Sequence, residues 1–384
     1  MSKKMYIGVD GTARQVKKAY IGVDGTARRI KKAYIGIGGV AKPFFSSYTK
    51  IELYQSRSDL SEGRAELAAA SVGNYALFAG GHLGDHISSG ARDADIVDAF
   101  NSSLVKNNNV ESLDVGRYSL AATSVGGYAF FGGGLGDAYA PFIVDVYNSS
   151  LSRTNPTTLY KSKIAAASVG KYALFAGGDI TVEGYDSSSP SLTKIGADSL
   201  SQARTNLAAT SIKEYAFFAG GYSSGTTSSN IVDAYNSSLT RSDAEPLLNS
   251  RAYLAATSVG DFALFGGGGN LNDVDAYNSS LTRISADSLS KERRKLAATS
   301  VGDFALFGGG QYYDYNRQDY KISSVLDIYD SSLTRIDTKI LGGEAIPHNA
   351  YDLAATTVGD FALFGGGNDG YYGKSDQLSA YKLC

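Results

Sequence analysis

Tryptophan is absent from the 384 residues, and cysteine occurs once, as Cys384 at the end of the chain. A lone cysteine excludes an internal disulfide framework and a Cys-rich zinc site. Only three histidines are present, His82, His86 and His348. His82 and His86 have the spacing of a metal pair only on a helix, and their surroundings read as a Gly-flanked loop, so no metal and no cofactor is expected. No apolar run approaches the roughly 20 residues of a membrane-spanning helix, so membrane insertion is not expected. The opening Met1-Ser2-Lys3-Lys4-Met5-Tyr6 is charged and lacks the apolar stretch of a secretory signal. A hydrophobic fraction of 43% excludes a disordered chain. In place of the missing types stand 45 glycines and 27 tyrosines, a mixture that suits many tight turns between short strands.

The tyrosines and glycines recur in order. Leu67-Ala68-Ala69-Ala70-Ser71-Val72-Gly73-Asn74-Tyr75-Ala76-Leu77-Phe78-Ala79-Gly80-Gly81 has six further copies, beginning at Leu120, Ile164, Leu207, Leu254, Leu296 and Leu353. After a variable gap each is followed by a second signature, such as Val232-Asp233-Ala234-Tyr235-Asn236-Ser237-Ser238-Leu239. Seven units of four short strands predict an all-β fold, a seven-bladed β-propeller. Strand a is the small Leu-Ala-Ala-Thr-Ser-Val type, suited to a crowded axis. Strand b, such as Phe262-Ala263-Leu264-Phe265, is apolar on both faces, as expected when neighbouring blades cover it. Strand c carries the Asp-Ala-Tyr type, and strand d is expected over Leu281-Thr282-Arg283-Ile284. The last unit stops in strand c, at Tyr381 to Cys384, while Thr49 to Tyr54 matches the strand-d starts. That segment is expected to supply the missing outer strand, which closes the ring and hides a sheet edge.

These residues resemble the Kelch family of propellers over about residues 49 to 384. The resemblance rests on the Gly pairs after strand b (Gly80-Gly81, Gly177-Gly178, Gly220-Gly221) and on the strand-c aromatics Phe100, Tyr147, Tyr185, Tyr235, Tyr277, Tyr329 and Tyr381. The chain departs from the family at strand d, where Leu281 or its equivalent stands near the place of the family's tryptophan.

A pattern inside the repeats predicts one ion pair per blade. Three residues before each strand a stand Arg64, Arg117, Lys161, Arg204, Arg251, Arg293 and Ala350. Two residues before each strand-c aromatic stand Asp98, Asp145, Glu183, Asp233, Asp275, Asp327 and Ser379. Unit three changes both members and unit seven lacks both. The expected pairs are therefore Arg64–Asp98, Arg117–Asp145, Lys161–Glu183, Arg204–Asp233, Arg251–Asp275 and Arg293–Asp327. They read as structural rather than ligand-binding, and each would contribute about 0–1 kcal/mol if exposed.

The beginning of the chain has a different, 14-residue period. Three copies, starting at Lys3, Lys17 and Lys31, each read as strand, tight turn, strand, with turns at Asp10-Gly11, Asp24-Gly25 and Gly38-Gly39. Residues 1–45 are expected to form a basic three-hairpin anchoring arm and residues 46–384 the propeller. The arm has ten Lys/Arg against Asp10 and Asp24, a net +8, which leaves −10 for the remainder. Such short hairpins cannot bury an apolar face alone and need a partner: each other, a symmetry mate in a homo-oligomer, or another protein. Tyr6, Tyr20, Tyr34, Arg14, Arg28 and Arg29 are the expected anchoring residues. Regular hairpins with few aromatics are a poor nucleic-acid signature, so nucleic acid is not the expected partner. The Tyr-Ile-Gly-Val-Asp-Gly-Thr-Ala-Arg repeat looks like segments in structural proteins of phages, prophages and phage-tail-like particles of Gram-positive bacteria, notably clostridial ones. That resemblance implies a virion or particle component (baseplate, tail fibre or capsid-attached) made in the bacterial cytoplasm, whose arm attaches to other particle proteins.

Recognition is expected on the propeller face where the b–c and d–a connections vary, since variable loops on a rigid scaffold carry binding. Tyr222, Tyr312, Tyr313, Tyr315, Tyr320, Tyr371 and Tyr372 lie in these b–c segments. Mixed with Ser, Gly, Asn and Asp, they suit a host cell-surface protein or glycan. No Gly-x-Ser-x-Gly elbow and no phosphate loop occurs, so no catalytic residue is assigned. A non-enzymatic particle protein is the expected function. A cytoplasmic Kelch interaction module and a carbohydrate-active propeller are the alternatives.

Overall fold

A computed structural model describes residues 51–383 apart from 55–57, 84–91, 137–142, 156–158, 160, 190, 337–345, 348–349 and 371–372, together with strands between 6 and 46. The chain divides into two compact units, residues 1–52 with 382–384, and residues 53–381. In the first are three antiparallel hairpins: Tyr6–Val9 with Thr12–Gln15, Ala19–Val23 with Thr26–Ile30, and Lys32–Ile37 with Val40–Ser46. Tyr6 stands opposite Gln15, Tyr20 opposite Arg29, Tyr34 opposite Pro43, Arg14 opposite Ile7 and Arg28 opposite Ile21.

Seven four-stranded antiparallel sheets follow. Blade five is representative, with strand a at Ala255–Val259, b at Phe262–Gly266, c at Val274–Tyr277 and d at Arg283–Ser285. Each a strand touches the a strands of the next and previous blades, and Ala354–Val358 of blade seven returns to Ala68–Val72 of blade one. The sheets therefore form a closed seven-bladed β-propeller. In blade seven the order is Ala354–Val358, Phe361–Gly365, Leu378–Leu383 and then Ile51–Tyr54, so the early strand is the outer one. The Tyr54 ring lies edge-on to Phe361, 5.2 Å between centroids.

The small, hydroxyl-rich composition of strand a has a local reason. These strands lie side by side at the axis in separate sheets, and their hydroxyls connect them. Ser124 donates to the Ser71 carbonyl at 2.6 Å and accepts from the Ser71 amide at 3.1 Å. Thr357 donates to the Ser300 carbonyl at 2.6 Å. Further out, aromatics fill each blade, and Phe130 with Tyr185 and Phe217 with Tyr277 meet across neighbouring blades. In all seven, the strand-c ring meets a strand-b Phe edge-on, with centroids 5.7–6.2 Å apart and planes at 78–89°. This arrangement places the positive ring edge on the negative face.

Strand d starts two residues later than the sequence pattern suggests. Leu281 is not its first residue but the last of the turn, at φ 60°, and Leu104, Leu151, Leu192, Leu239 and Leu333 share this left-handed conformation at 49–63°. Side-chain carbonyl oxygens hold the turn: Asn278 Oδ1 accepts from the Ser280 amide at 2.9 Å. A left-handed leucine costs about 1–2 kcal/mol. Burying Leu104, Leu151, Leu192 and Leu333 in the hydrophobic clusters of the blades offsets that strain.

A guanidinium is buried in five of the blades. Arg64 meets Asp98 at 2.7 Å, Arg117 meets Asp145 at 2.5 Å and Arg251 meets Asp275 at 2.7 Å; Arg204–Asp233 and Arg293–Asp327 are paired in the same way. All ten residues are 3% exposed or less. Each carboxylate also takes a second cation from strand d, such as Lys106 at 2.8 Å from Asp98 or Arg153 at 2.8 Å from Asp145. A backbone amide completes its shell, as Ser61 does for Asp98 at 3.1 Å. The same basic residue also holds the preceding blade. Its carbonyl accepts from the second glycine of the preceding Gly pair: Gly81 to Arg117 and Gly221 to Arg251, both at 2.9 Å, and Gly367 to Arg64 at 2.8 Å. At Gly220, φ is +65° and an added Cβ would lie 2.6 Å from the Arg251 carbonyl oxygen, so only glycine fits that approach.

Blade three differs from the expected Lys161–Glu183 pair. Lys161 instead meets Asp179 and the Thr181 hydroxyl, the latter at 2.6 Å, while Glu183 pairs with Lys194 of strand d at 2.6 Å. Strands b and c there join directly, with Gly177 opposite Asp179, and this brings a nearer carboxylate to the ammonium. A compact ammonium also lacks the planar fork of Arg251, whose Nη2 holds Asp275 and the Phe265 carbonyl while Nη1 reaches the Asn249 carbonyl at 3.4 Å. In blade seven the equivalent positions, Ala350 and Ser379, are buried without a charge at either.

Two outcomes follow from these buried charges. Arg251→Met leaves Asp275 with only Arg283 of strand d and the Leu248 amide, and is expected to cost about 3 kcal/mol in urea denaturation. Adding Asp275→Leu should recover most of that loss, as the charge-free blade seven suggests; a double variant no more stable than Arg251→Met would refute the pairing. Burial acts to raise the Asp98 carboxyl, but Arg64, Lys106 and Ser61 outweigh it and hold it below the ordinary carboxylate range. Its stabilisation is thus complete above the unfolded-state value and is lost as pH falls through the lower folded one. Asp98→Asn should flatten the acid limb of the stability–pH curve.

Candidate functional site

One position in every blade has an unusual backbone and a variable side chain. It lies immediately before strand a: Glu66, Ser119, Lys163, Asn206, Tyr253, Lys295 and Asp352. All seven adopt φ of 53–59°, in the left-handed region. Main-chain hydrogen bonds run between them from blade to blade. Asn206 donates to Lys163 at 3.0 Å, Tyr253 to Asn206 at 3.1 Å, Lys295 to Tyr253 at 2.9 Å and Asp352 to Lys295 at 3.1 Å. Glu66 then donates to Asp352 at 2.9 Å and Ser119 to Glu66 at 2.8 Å. Leu or Ile is always next, and the shared backbone makes the frame constant while the side chains change.

Because these residues come from all seven blades and line one cavity, that cavity sits on the propeller axis. Its volume is about 530 Å³, and its wall includes the ring residues, the Leu or Ile after each, Tyr118 and Leu135. This size lies within the ordinary range for small-ligand pockets. Lys295 and Asp352 pair across one side at 2.7 Å. Burial lifts the Asp352 carboxyl above the ordinary carboxylate range, against the opposing pull of Lys295. For Lys295, burial acts downward, but Asp352 outweighs it and the ammonium is raised. The Ser119 hydroxyl donates to the Glu66 carboxylate. Among the described residues the Lys163 ammonium has no ion pair.

A cation–aromatic surface leads from this mouth to the b–c hairpin of blade six, Gln311–Asp314 with Asp319–Ile322. Tyr222 lies edge-on to Tyr253, centroids 5.6 Å apart. Arg294, one residue before the ring position, lies 3.8 Å from the Tyr320 centroid and 5.9 Å from that of Tyr253. The Gln311 amide oxygen, in the orientation that satisfies both groups, accepts from Arg294 at 3.2 and 3.3 Å. Tyr313 meets both Tyr315 and Tyr320 edge-on at 5.1 Å, and Tyr315 is 68% exposed. Tyr312 lies under the Lys291 ammonium. Stacked cations of this kind hold rings in place at about 0.5–2 kcal/mol each.

Of the tyrosines marked from sequence, Tyr222, Tyr313, Tyr315 and Tyr320 thus join one surface, with Tyr312 alongside under Lys291. Tyr371 and Tyr372 lie outside the described residues, as do Asp85, His86 and His348. His82 bonds through Nδ1 to Asp93 at 3.0 Å and packs on Tyr118. Among the described residues no group of three His, Cys, Asp or Glu side chains is placed to hold a metal ion. The ring positions, with Arg294 and Lys291, are what the sequence reading missed. Their signal was available: a position that changes from unit to unit directly ahead of one that is always Leu or Ile.

No family model matches the chain, and no curated protein matches its sequence. Among solved structures it is similar to one titled "Structure of YjhT", with a TM-score of 0.54 at 10% identity, over 83% of this chain and 95% of that one. That likeness supports the propeller architecture. The chain is accordingly assigned to the class of seven-bladed β-propellers.

The ring's electrostatics can be checked directly. Lys295→Met removes the stronger of the two cations, Lys295 and Lys374, that draw Asp352 downward, so carbon-13 titration should find the Asp352 carboxyl higher still. A raised carboxyl favours the folded state most at low pH and loses that contribution as pH rises through its folded value. An unmoved titration would show that the pair is not formed in solution.

Proposed function

We propose that this chain is a Kelch-type propeller serving as a non-enzymatic structural or receptor-binding component of a phage or phage-tail-like particle. Its three-hairpin arm anchors it to other particle proteins, and its propeller displays a recognition face to the host cell. The observation that carries this reading is the confinement of side-chain variation to one face. The scaffold is held by repeated pairs and glycine contacts, while the axial ring and the b–c excursions vary from blade to blade, with only Lys163 and Lys295 alike in the ring. That division suits a display platform, where binding specificity changes on an unchanging frame. The tandem 14-residue repeat and its +8 charge support the anchoring role, since a basic segment favours an acidic docking surface.

Electron microscopy of particles labelled with antibody raised to residues 47–384 tests this reading. Labelled particles, with label lost on deletion of residues 1–46, are the expected result. A protein recovered only free of particles would favour the cytoplasmic interaction module. Turnover of a glycan by the purified chain would favour the carbohydrate-active alternative.

A further inference from the structure

We propose that the axial cavity is a sugar site that takes one uncharged pyranose, the terminal residue of a surface glycan. The inference rests on the display reading above and adds the ligand class. Three properties of the cavity carry it.

The first is charge. Glu66 and Asp352 face the same space as Lys163 and Lys295, so the formal charges of the ring cancel. A nucleotide or other phosphate ligand needs a net cationic site, and an acidic peptide needs several cations with no carboxylates beside them. A neutral ligand has neither requirement. The second is the alternation of donors and acceptors. Carboxylates accept, ammonium groups donate, and the Asn206 amide and Ser119 hydroxyl do both. Lys295 with Asp352 and Ser119 with Glu66 already pair, but among the described residues the Lys163 ammonium and the Asn206 amide do not; a lipid or other apolar ligand would desolvate those two without a partner, whereas a ring of hydroxyls pairs with both. The third is the apolar part of the wall. The Leu or Ile after each ring residue lines the same cavity, and Tyr253 and Tyr118 add aromatic surface. A pyranose has C–H faces and a hydroxyl edge, and this pairing of apolar contact with polar rim matches it. The left-handed backbone, fixed by the bonds around the axis, presents the ring side chains from a frame already in place.

The test uses saturation-transfer NMR on the full chain, with methyl glycosides of glucose, galactose, mannose and N-acetylglucosamine as probes. A methyl glycoside copies a terminal residue and cannot open its ring. Transfer to at least one probe is expected. Asn206→Gly and Tyr253→Asn, both compatible with left-handed φ, should each weaken binding at least tenfold with the thermal transition unchanged, while Lys213→Ala, exposed in the a–b turn of blade four and outside the cavity wall, should not. No transfer to any probe, or transfer that survives both ring variants, overturns the proposal. Transfer confined to free reducing sugars also overturns it, since the occupant would then not be a glycan terminus. Particle labelling separates the two readings. Labelled particles without sugar binding sink this inference alone, and sugar binding without labelled particles sinks the display role alone.

Discussion

The propeller depends on a buried guanidinium that serves two blades at once. In blade five, Arg251 neutralises Asp275 within its own sheet, and its carbonyl receives the Gly221 amide from blade four. The charge fixes where the d–a connection runs, and that connection fixes where the neighbouring blade docks. Burying such a pair is not in itself strongly stabilising, because desolvation opposes the attraction. Its contribution is geometric: a planar fork that reaches a strand-b carbonyl and a strand-c carboxylate leaves one position for the backbone that carries it. Blade seven keeps the glycine contact, Gly310 to Ala350 at 2.8 Å, without the charge. The seam therefore needs the backbone path, and the pair is one way of imposing it.

Much of this architecture was legible because repetition multiplies a weak signal. A single Leu-Ala-Ala-Thr-Ser-Val segment says little, but seven copies with apolar strands behind them specify blades. The truncated seventh unit and the unattached Ile51–Tyr54 likewise explain each other. Features that depend on chirality were hidden. Leu281 looked like the first residue of a strand, since nothing in a leucine announces positive φ; its conformation is set by the Asn278 turn and by packing between blades. Blade three misled for another reason. Lys161 and Glu183 vary together, yet the tight Gly177–Asp179 connection places a closer carboxylate, and loop length rather than covariation decides the partner. The axial ring could be assembled only when the blades were, because its members are separated by more than 40 residues in sequence and touch only around the axis.

The variable face combines two kinds of order. Around the axis, main-chain bonds hold the backbone and leave the side chains as the only difference between blades. Toward blade six, the side chains themselves are ordered, with Arg294 clasped by Gln311 and laid on Tyr320, and with Tyr313 bracketed by two further rings. Rings and cations fixed before a ligand arrives lose little freedom on binding. The exposed Tyr315 at the end of this path is the least constrained by such contacts and the most open to solvent.

The left-handed ring has a consequence for how such a chain can diversify. Since the frame of the aperture is tied by amide and carbonyl groups alone, exchanging a residue there alters the chemistry and shape of the opening without shifting the backbone that carries it. Seven sites work like independent letters in a fixed-width word, and a lineage can respell them while the wheel that bears them is inherited intact.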